Sequence, residues 1–143
     1  MKKTTIAAML MIVGLALTFG CSKQGKPDVA GKTSKGLNRI HFDFDQSDVK
    51  DEYKKVLKGN AGYMKDNEKA SVQVEGHCDE RGTEEYNIAL GHRRANAARD
   101  YLVSLGVDKG RVKTKSFGEE KPLETCSNES CWWKNRRAEF VKK

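Results

Sequence analysis

The side chains best able to do chemistry gather between Gly76 and Arg94, in Gly-His-Cys-Asp-Glu-Arg-Gly-Thr-Glu-Glu-Tyr-Asn-Ile-Ala-Leu-Gly-His-Arg-Arg. Taking 100° per residue from Ala97, the residues Tyr86, Leu90, Ala98, Tyr101, Leu102 and Leu105 fall in one helical sector centred at roughly 50°. Asn87 lies inside it, Arg93 at its edge, and Arg94 near its middle at about 60°. A guanidinium in mid-stripe is costly to bury without an anionic partner. Two arrangements fit. In one, Arg94 forms a structural ion pair with Asp79 or Glu80. In the other, Asp79 and Arg94 hold a zwitterion, the carboxylate taking an ammonium and the guanidinium a carboxylate.

The same stretch allows a different chemistry, a thiol site made of His77, Cys78 and Asp79. Nucleophilic catalysis would need Cys78 exposed beside an imidazole. Neighbouring strand residues point to opposite sides, so His77 and Cys78 diverge, which favours binding over catalysis. No Cys-x-x-Cys or His-x-x-x-His spacing supports a metal site with His92, and no cofactor is expected. Cys78 reads as a small thiol filling a strand end.

Positioning these groups requires a strand, a loop and a helix. Val72, Val74 and Gly76 alternate with Gln73, Glu75 and His77, which gives the strand. Its carboxyl end is where open α/β sheets hold ligands. A straight helix starting at Glu84 would carry Arg94 about 15 Å along its axis, too far from the Asp79 loop to share a small ligand. Gly91, a poor interior residue and an acceptable N-cap, suggests a break there. The expectation is a separate turn over 84–89 and a main helix starting near Leu90, with Arg94 in its first turn beside free N–H groups.

The remaining elements follow the same pattern. Ile40, Phe42 and Phe44 alternate with His41, Asp43 and Asp45, a strand that turns His41 to solvent. Asp45 ends it as Asp79 ends the later strand. Ser47 and Asp48 are candidate N-caps for a helix with Asp51 and Glu52 in its first turn and Val49, Tyr53, Val56, Leu57 and Met64 on its apolar stripe. The second helix ends at Gly106, a third strand covers 112–117, and a fourth covers 138–141. Residues 118–135 read as irregular, with Trp132 and Trp133 either clamping the loop onto the core, the favoured reading, or forming part of a ligand wall, and with Cys126 and Cys131 as the natural disulfide pair. The class is α/β, an α+β sandwich of order β-α-β-α-β-β with helices on a small mixed sheet.

Residues 1–20 begin with Lys2 and Lys3 and continue in an apolar run from Ile6 to Phe19, too short for a comfortable bilayer span and typical of a signal peptide. Gly20-Cys21 at its end resembles a bacterial lipobox, although Thr18 and Phe19 differ from the usual residues. That likeness implies acylation of Cys21 with three chains. Ser22 in the next position, where an Asp would resemble a retention signal, favours the outer membrane. Residues 21–37 form the lipidated cysteine and a polar tether, and 38–143 the domain. Ser22 to Gly36 would span roughly 20 Å relaxed and about 50 Å stretched. The chain carries 27 Lys and Arg against 20 Asp and Glu, and loss of the leader leaves 25 against 20, a charge of +5. Charges of mixed sign without interleaved aromatic residues do not specify nucleic acid.

Several pieces in order resemble the OmpA-like peptidoglycan-binding domain family: Ile40-His-Phe-Asp-Phe-Asp, Gly76-His-Cys-Asp-Glu-Arg-Gly-Thr, Tyr86-Asn-Ile-Ala-Leu-Gly-His-Arg-Arg-Ala, Gly118-Glu-Glu-Lys-Pro and Asn135-Arg-Arg. Cys78 stands where the family usually has Thr. The resemblance covers about Asn38 to Lys143. It implies non-covalent binding of peptidoglycan stem peptides through meso-diaminopimelate, without bond cleavage. Asp79 would take the ammonium and Arg94 the carboxylate, Phe44 and Asp45 would contribute from the first loop, and Leu90 and Asn87 would line the pocket. A periplasmic Tol-system partner, TolB, docking over the same pocket is also implied, as are roles in envelope integrity and cell division.

Overall fold

The computed structural model describes residues 32–34 and 36–143. The expected signal peptide and Cys21 lie outside the described residues. Among the described residues the chain forms β1 (Lys32–Ser34), β2 (Leu37–Asn38), β3 (Ile40–His41), α1 (Asp51–Asp66), β4 (Val72–His77), α2 (Glu84–Ser104), a 3-10 turn (Lys109–Arg111), β5 (Val112–Gly118), α3 (Glu129–Asn135) and β6 (Arg137–Lys142). Four strands make a mixed sheet in the order β3-β6-β4-β5. β4 is parallel to β5 and antiparallel to β6, and β3 is antiparallel to β6. β1 and β2 pair separately. The expected mixed α/β class is the one observed, with the β1–β2 pair and α3 added to the expected succession β-α-β-α-β-β.

The sheet is sided as the alternation in β4 requires. Val72, Val74 and Gly76 are buried beneath the helices, while Gln73 and Glu75 on the other face are half-buried. Phe140, Leu57, Met64 and Leu102 complete the core, each contributing about 1.5–3 kcal/mol by burial. Leu37, assigned to the tether, is 0% exposed and belongs to this core. Asn60 fixes that entry point, since its side chain accepts from the Asn38 N–H at 2.9 Å and donates to the Asn38 carbonyl at 2.8 Å.

β3 ends and α1 starts differently from the sequence expectation, for one physical reason. β3 stops at His41 because the next carbonyls are taken by guanidiniums rather than by a strand: Arg136 Nε donates to Phe42 O at 3.0 Å and Arg94 Nη2 to Asp43 O at 3.1 Å. Arg94 Nε also holds Gln46 O at 2.8 Å. The loop is thereby drawn past Ser47 and Asp48, and α1 starts only after Lys50, which has no side-chain cap bond. His41 does not face solvent. It is buried with its ring 5.2 Å from Trp133 and 6.1 Å from Tyr53.

Residues 118–135 are not wholly irregular. The Asn128 side chain accepts from Ser130 N at 2.9 Å and caps α3, and the Cys126–Cys131 disulfide, with Cα atoms 5.6 Å apart, links the loop to the helix. Trp132 and Trp133 are half-buried over the sheet edge and the loops rather than in the core.

The break expected at Gly91 is absent. α2 runs unbroken from Glu84 to Ser104, capped by the Thr83 side chain. Gly91 is present instead because the helix backbone touches β4: a Cβ on Gly76 would strike the Gly91 carbonyl oxygen, and one on Gly91 would strike Ser116 Oγ. Gly76→Ala should therefore cost at least about 3 kcal/mol, the upper end of overpacking penalties, because neither backbone can yield. Denaturant unfolding of the variant measures it; a loss below about 1 kcal/mol would show that helix and strand can separate.

Candidate functional site

The direct helix–strand contact resolves the distance problem that a kink was expected to solve. α2 folds back over β4 with Gly91 against Gly76, so Arg94 lies one turn beyond, and helical side chains lean toward the helix N-terminus. Its guanidinium thus returns to the strand end, where Nη1 donates to His77 O at 2.9 Å. Arg94 is 0% exposed and makes no ion pair with Asp79 or Glu80. Three backbone carbonyls, from His77, Asp43 and Gln46, replace the expected carboxylate. Two of its five N–H groups have no partner among the described residues. Burial pulls its pKa below the usual guanidinium value.

A cavity of about 200 Å³ opens beside it, lined by Phe44, Asp45, Cys78, Asp79, Arg81, Gly82, Tyr86, Asn87, Leu90 and Arg94. The six side chains singled out by sequence, Phe44, Asp45, Asp79, Asn87, Leu90 and Arg94, are all on its surface. Each reaches it for a local reason. Asp45 takes a left-handed backbone, φ 57°, which turns the loop after β3 over the cavity, and the Tyr86 hydroxyl donates to its carboxylate. Phe44, expected on the buried face of a strand, is instead 57% exposed at the rim. Tyr86, expected within the buried sector of α2, is exposed there too. Asn87 is buried and donates to the carbonyls of Asp79 and Arg81 at 3.3 and 3.2 Å and to Glu119, closing the floor.

Sequence reasoning missed Arg81 and Arg136, which surround Asp79. Arg81 donates from Nε to Oδ1 at 3.0 Å, from Nη2 to Oδ2 at 2.7 Å, and from its backbone N–H to Oδ1 at 3.1 Å. Arg136 Nη1 reaches Oδ2 at 3.2 Å. These four bonds match the four lone-pair positions of a carboxylate. Burial alone would push the Asp79 carboxyl up, but these bonds outweigh it and hold the group below the ordinary carboxylate range. Arg81 is stacked between aromatic rings, 4.0 Å from the Phe44 centroid and 3.9 Å from that of Trp132. Its place two residues after Asp79 and the Asn135-Arg-Arg run were the available signals.

The thiol arrangement is not formed. Cys78 is buried, its Sγ donates to Asn87 O at 3.3 Å, and burial pushes its pKa up to about 11. His77 stacks on Phe117 at 5.5 Å, and burial with the charges of Arg137, Lys121 and Arg39 lowers its pKa to about 3. No thiolate and imidazole face each other. Glu75, His77 and Glu139 do bring ligand atoms within 4.8 Å of one another. Glu139, however, already holds Arg39 at 3.2 Å and Arg137 at 2.9 Å, so two guanidiniums supply the positive charge a cation would bring.

Among the described residues no helix is long and apolar enough to cross a membrane. Residues 41–136 match the OmpA family. A peptidoglycan-associated lipoprotein of Mesorhizobium japonicum is 40% identical, the match covering 91% of this chain and 88% of that protein. One from Pasteurella multocida is 40% identical over 96% and 97% of the two chains. The crystal structure of the peptidoglycan-associated lipoprotein from Burkholderia pseudomallei superposes with a TM-score of 0.72 at 41% identity, covering 73% of this chain and 89% of that one. With this fold, these motifs and that extent of likeness, the chain belongs to the OmpA family and, within it, to the peptidoglycan-associated lipoproteins.

Proposed function

We propose that this chain is an outer-membrane lipoprotein, acylated at Cys21, whose domain binds peptidoglycan stem peptides through meso-diaminopimelate and so joins membrane to wall. The observation that carries this reading is the shared cavity: a buried guanidinium with two free N–H groups on one side and the Asp79 carboxylate on the other. A zwitterionic amino-acid head needs such a pair of opposite charges, held apart by a fixed frame. Nothing in the cavity is arranged to cleave a bond, so the reading is binding without catalysis. TolB docking over the cavity rim would compete with the wall, a link to the Tol system that would support envelope integrity and division.

Because the acceptor positions of Asp79 are filled, an incoming ammonium must displace a partner. Arg81, with its side chain 31% exposed, is the one free to move; Arg136, at 5%, is pinned by Glu129 and Phe42 O. Arg81→Gln should then raise affinity for free meso-diaminopimelate several-fold by calorimetry. A several-fold loss would mean that Arg81 itself holds the ligand.

Asp79→Asn should abolish co-sedimentation with sacculi and remove competition by free meso-diaminopimelate, with the variant still folded. Retained competition would overturn the reading. The same variant has a pH signature. The folded-state pKa of Asp79 lies below its unfolded value, so its contribution to stability is complete above pH about 4 and fades as pH falls through the lowered pKa. The gap in thermal midpoint between parent and variant should therefore be present at neutral pH and close in acid.

Cys78→Ser should leave sacculus binding intact, and the parent thiol should resist alkylation at neutral pH until the protein is unfolded. Rapid alkylation of the native protein, with binding lost in the serine variant, would favour thiol chemistry instead.

A further inference from the structure

The end of the domain opposite the Asp79 cavity is chemically distinct. α1 finishes there, β4 and β5 begin, and β6 ends, as the pairings of Val72 with Val112 and with Lys142 require. Residues 65–70 with Lys142 and Lys143 enclose a depression of about 530 Å³. Lys65, Lys69, Lys142 and Lys143 stand on it, all exposed, and none pairs with a described carboxylate. Lys109 and Lys113 extend the basic surface along the start of β5, against which Asp66, Glu68 and Asp108 are the acidic groups.

This surface has a rigid support. Arg111 reaches under the α1–β4 turn and donates to the carbonyls of Met64, Asn67 and Ala70, each at 2.7 Å. Lys143 N adds a bond to Ser71 O at 2.9 Å. The loops at the cavity end are mixed in sign, with Asp43, Asp45, Asp79, Glu80, Glu119 and Glu120 beside Arg81, Arg94, Lys121 and Arg136. Charges of both signs meet at the cavity, whereas basic groups outnumber acidic ones at the far end.

We infer that the lysine-rimmed end is a docking surface for anionic phospholipid headgroups of the membrane to which the chain is tethered. The inference rests on the wall-binding reading, which turns the cavity toward peptidoglycan and hence the opposite end toward the membrane. Unpaired lysines within a Debye length of a phosphate-rich surface attract it without a shaped pocket, and salt weakens that attraction. The surface would hold the domain close to the membrane even though the tether allows it to stand away.

The test uses residues 22–143, which contain the whole described core. Co-sedimentation is measured with phosphatidylcholine vesicles and with vesicles containing phosphatidylglycerol as well. Binding is expected only to the mixed vesicles and should fall with salt. Replacing Lys65, Lys69, Lys142 and Lys143 by Gln should weaken it about fivefold per lysine removed. Replacing Lys55, Lys58, Lys115 and Lys121 by Gln should leave it near the parent value. Equal loss in both quadruple variants would reduce the effect to net charge and overturn the surface. Competition by inorganic phosphate at fixed ionic strength would also overturn it, in favour of a discrete anion pocket. Sacculus binding separates the two readings: Asp79→Asn should lose sacculi and keep vesicles, and the first lysine variant should do the reverse. Vesicle binding by a parent that fails to bind sacculi would sink the wall reading and leave the lipid surface supported.

Discussion

One buried guanidinium ties the domain together at the place where its ligand-sized cavity opens. Arg94 lends three N–H groups to the carbonyls of His77, Asp43 and Gln46, joining the end of β4 to the loop after β3. The loop after β3 has no neighbouring strand to use its carbonyls, and leaving buried carbonyls unsatisfied would cost more than the bonds return in water. The charge is thus spread over backbone dipoles instead of being cancelled by a carboxylate. Such an arrangement leaves a net positive site facing the cavity, which an ion pair would have neutralised. The bonds that hold the fold and the charge presented to the cavity are therefore inseparable at this residue.

Asp79 is the mirror case. Its negative charge is overcompensated by Arg81 and Arg136, and Arg136 is shared with Glu129 at the start of α3. The chain of alternating charges runs from the cavity to the helix that follows the disulfide. A half-buried, aromatic-stacked arginine at one end and a buried one at the other give the carboxylate partners of unequal mobility. That asymmetry lets a cavity be both preorganised and open to a competing cation.

Much of this was legible in the sequence because side-chain periodicity reports burial. The alternation of Val72, Val74 and Gly76 gave β4, and the mid-stripe position of Arg94 marked a buried charge. Disagreements arose where tertiary contacts overrule local rules. Gly91 looks like a helix break by propensity, but it is required by a neighbour fifteen positions earlier, Gly76, that no helical wheel contains. Ser47 and Asp48 are sound caps by type, yet Arg94 pulls their loop elsewhere. His41 and Leu37 are covered by α3 and α1, and a seven-residue helix such as α3 has too few turns to show a period. Arg81 and Arg136 looked like ordinary loop charges because their common partner is fixed only by the fold.

The short link between Cys126 and Cys131 has a consequence for where the protein matures. It closes a ring of only a few residues, worth about 2 kcal/mol by chain-entropy reasoning, and it stands at the start of the helix that supplies Trp132 and is followed directly by Arg136. In a compartment where thiols stay reduced, that side of the cavity lacks its clasp. Oxidation therefore adds rigidity to the cavity wall wherever the surroundings can take the two electrons of the thiols.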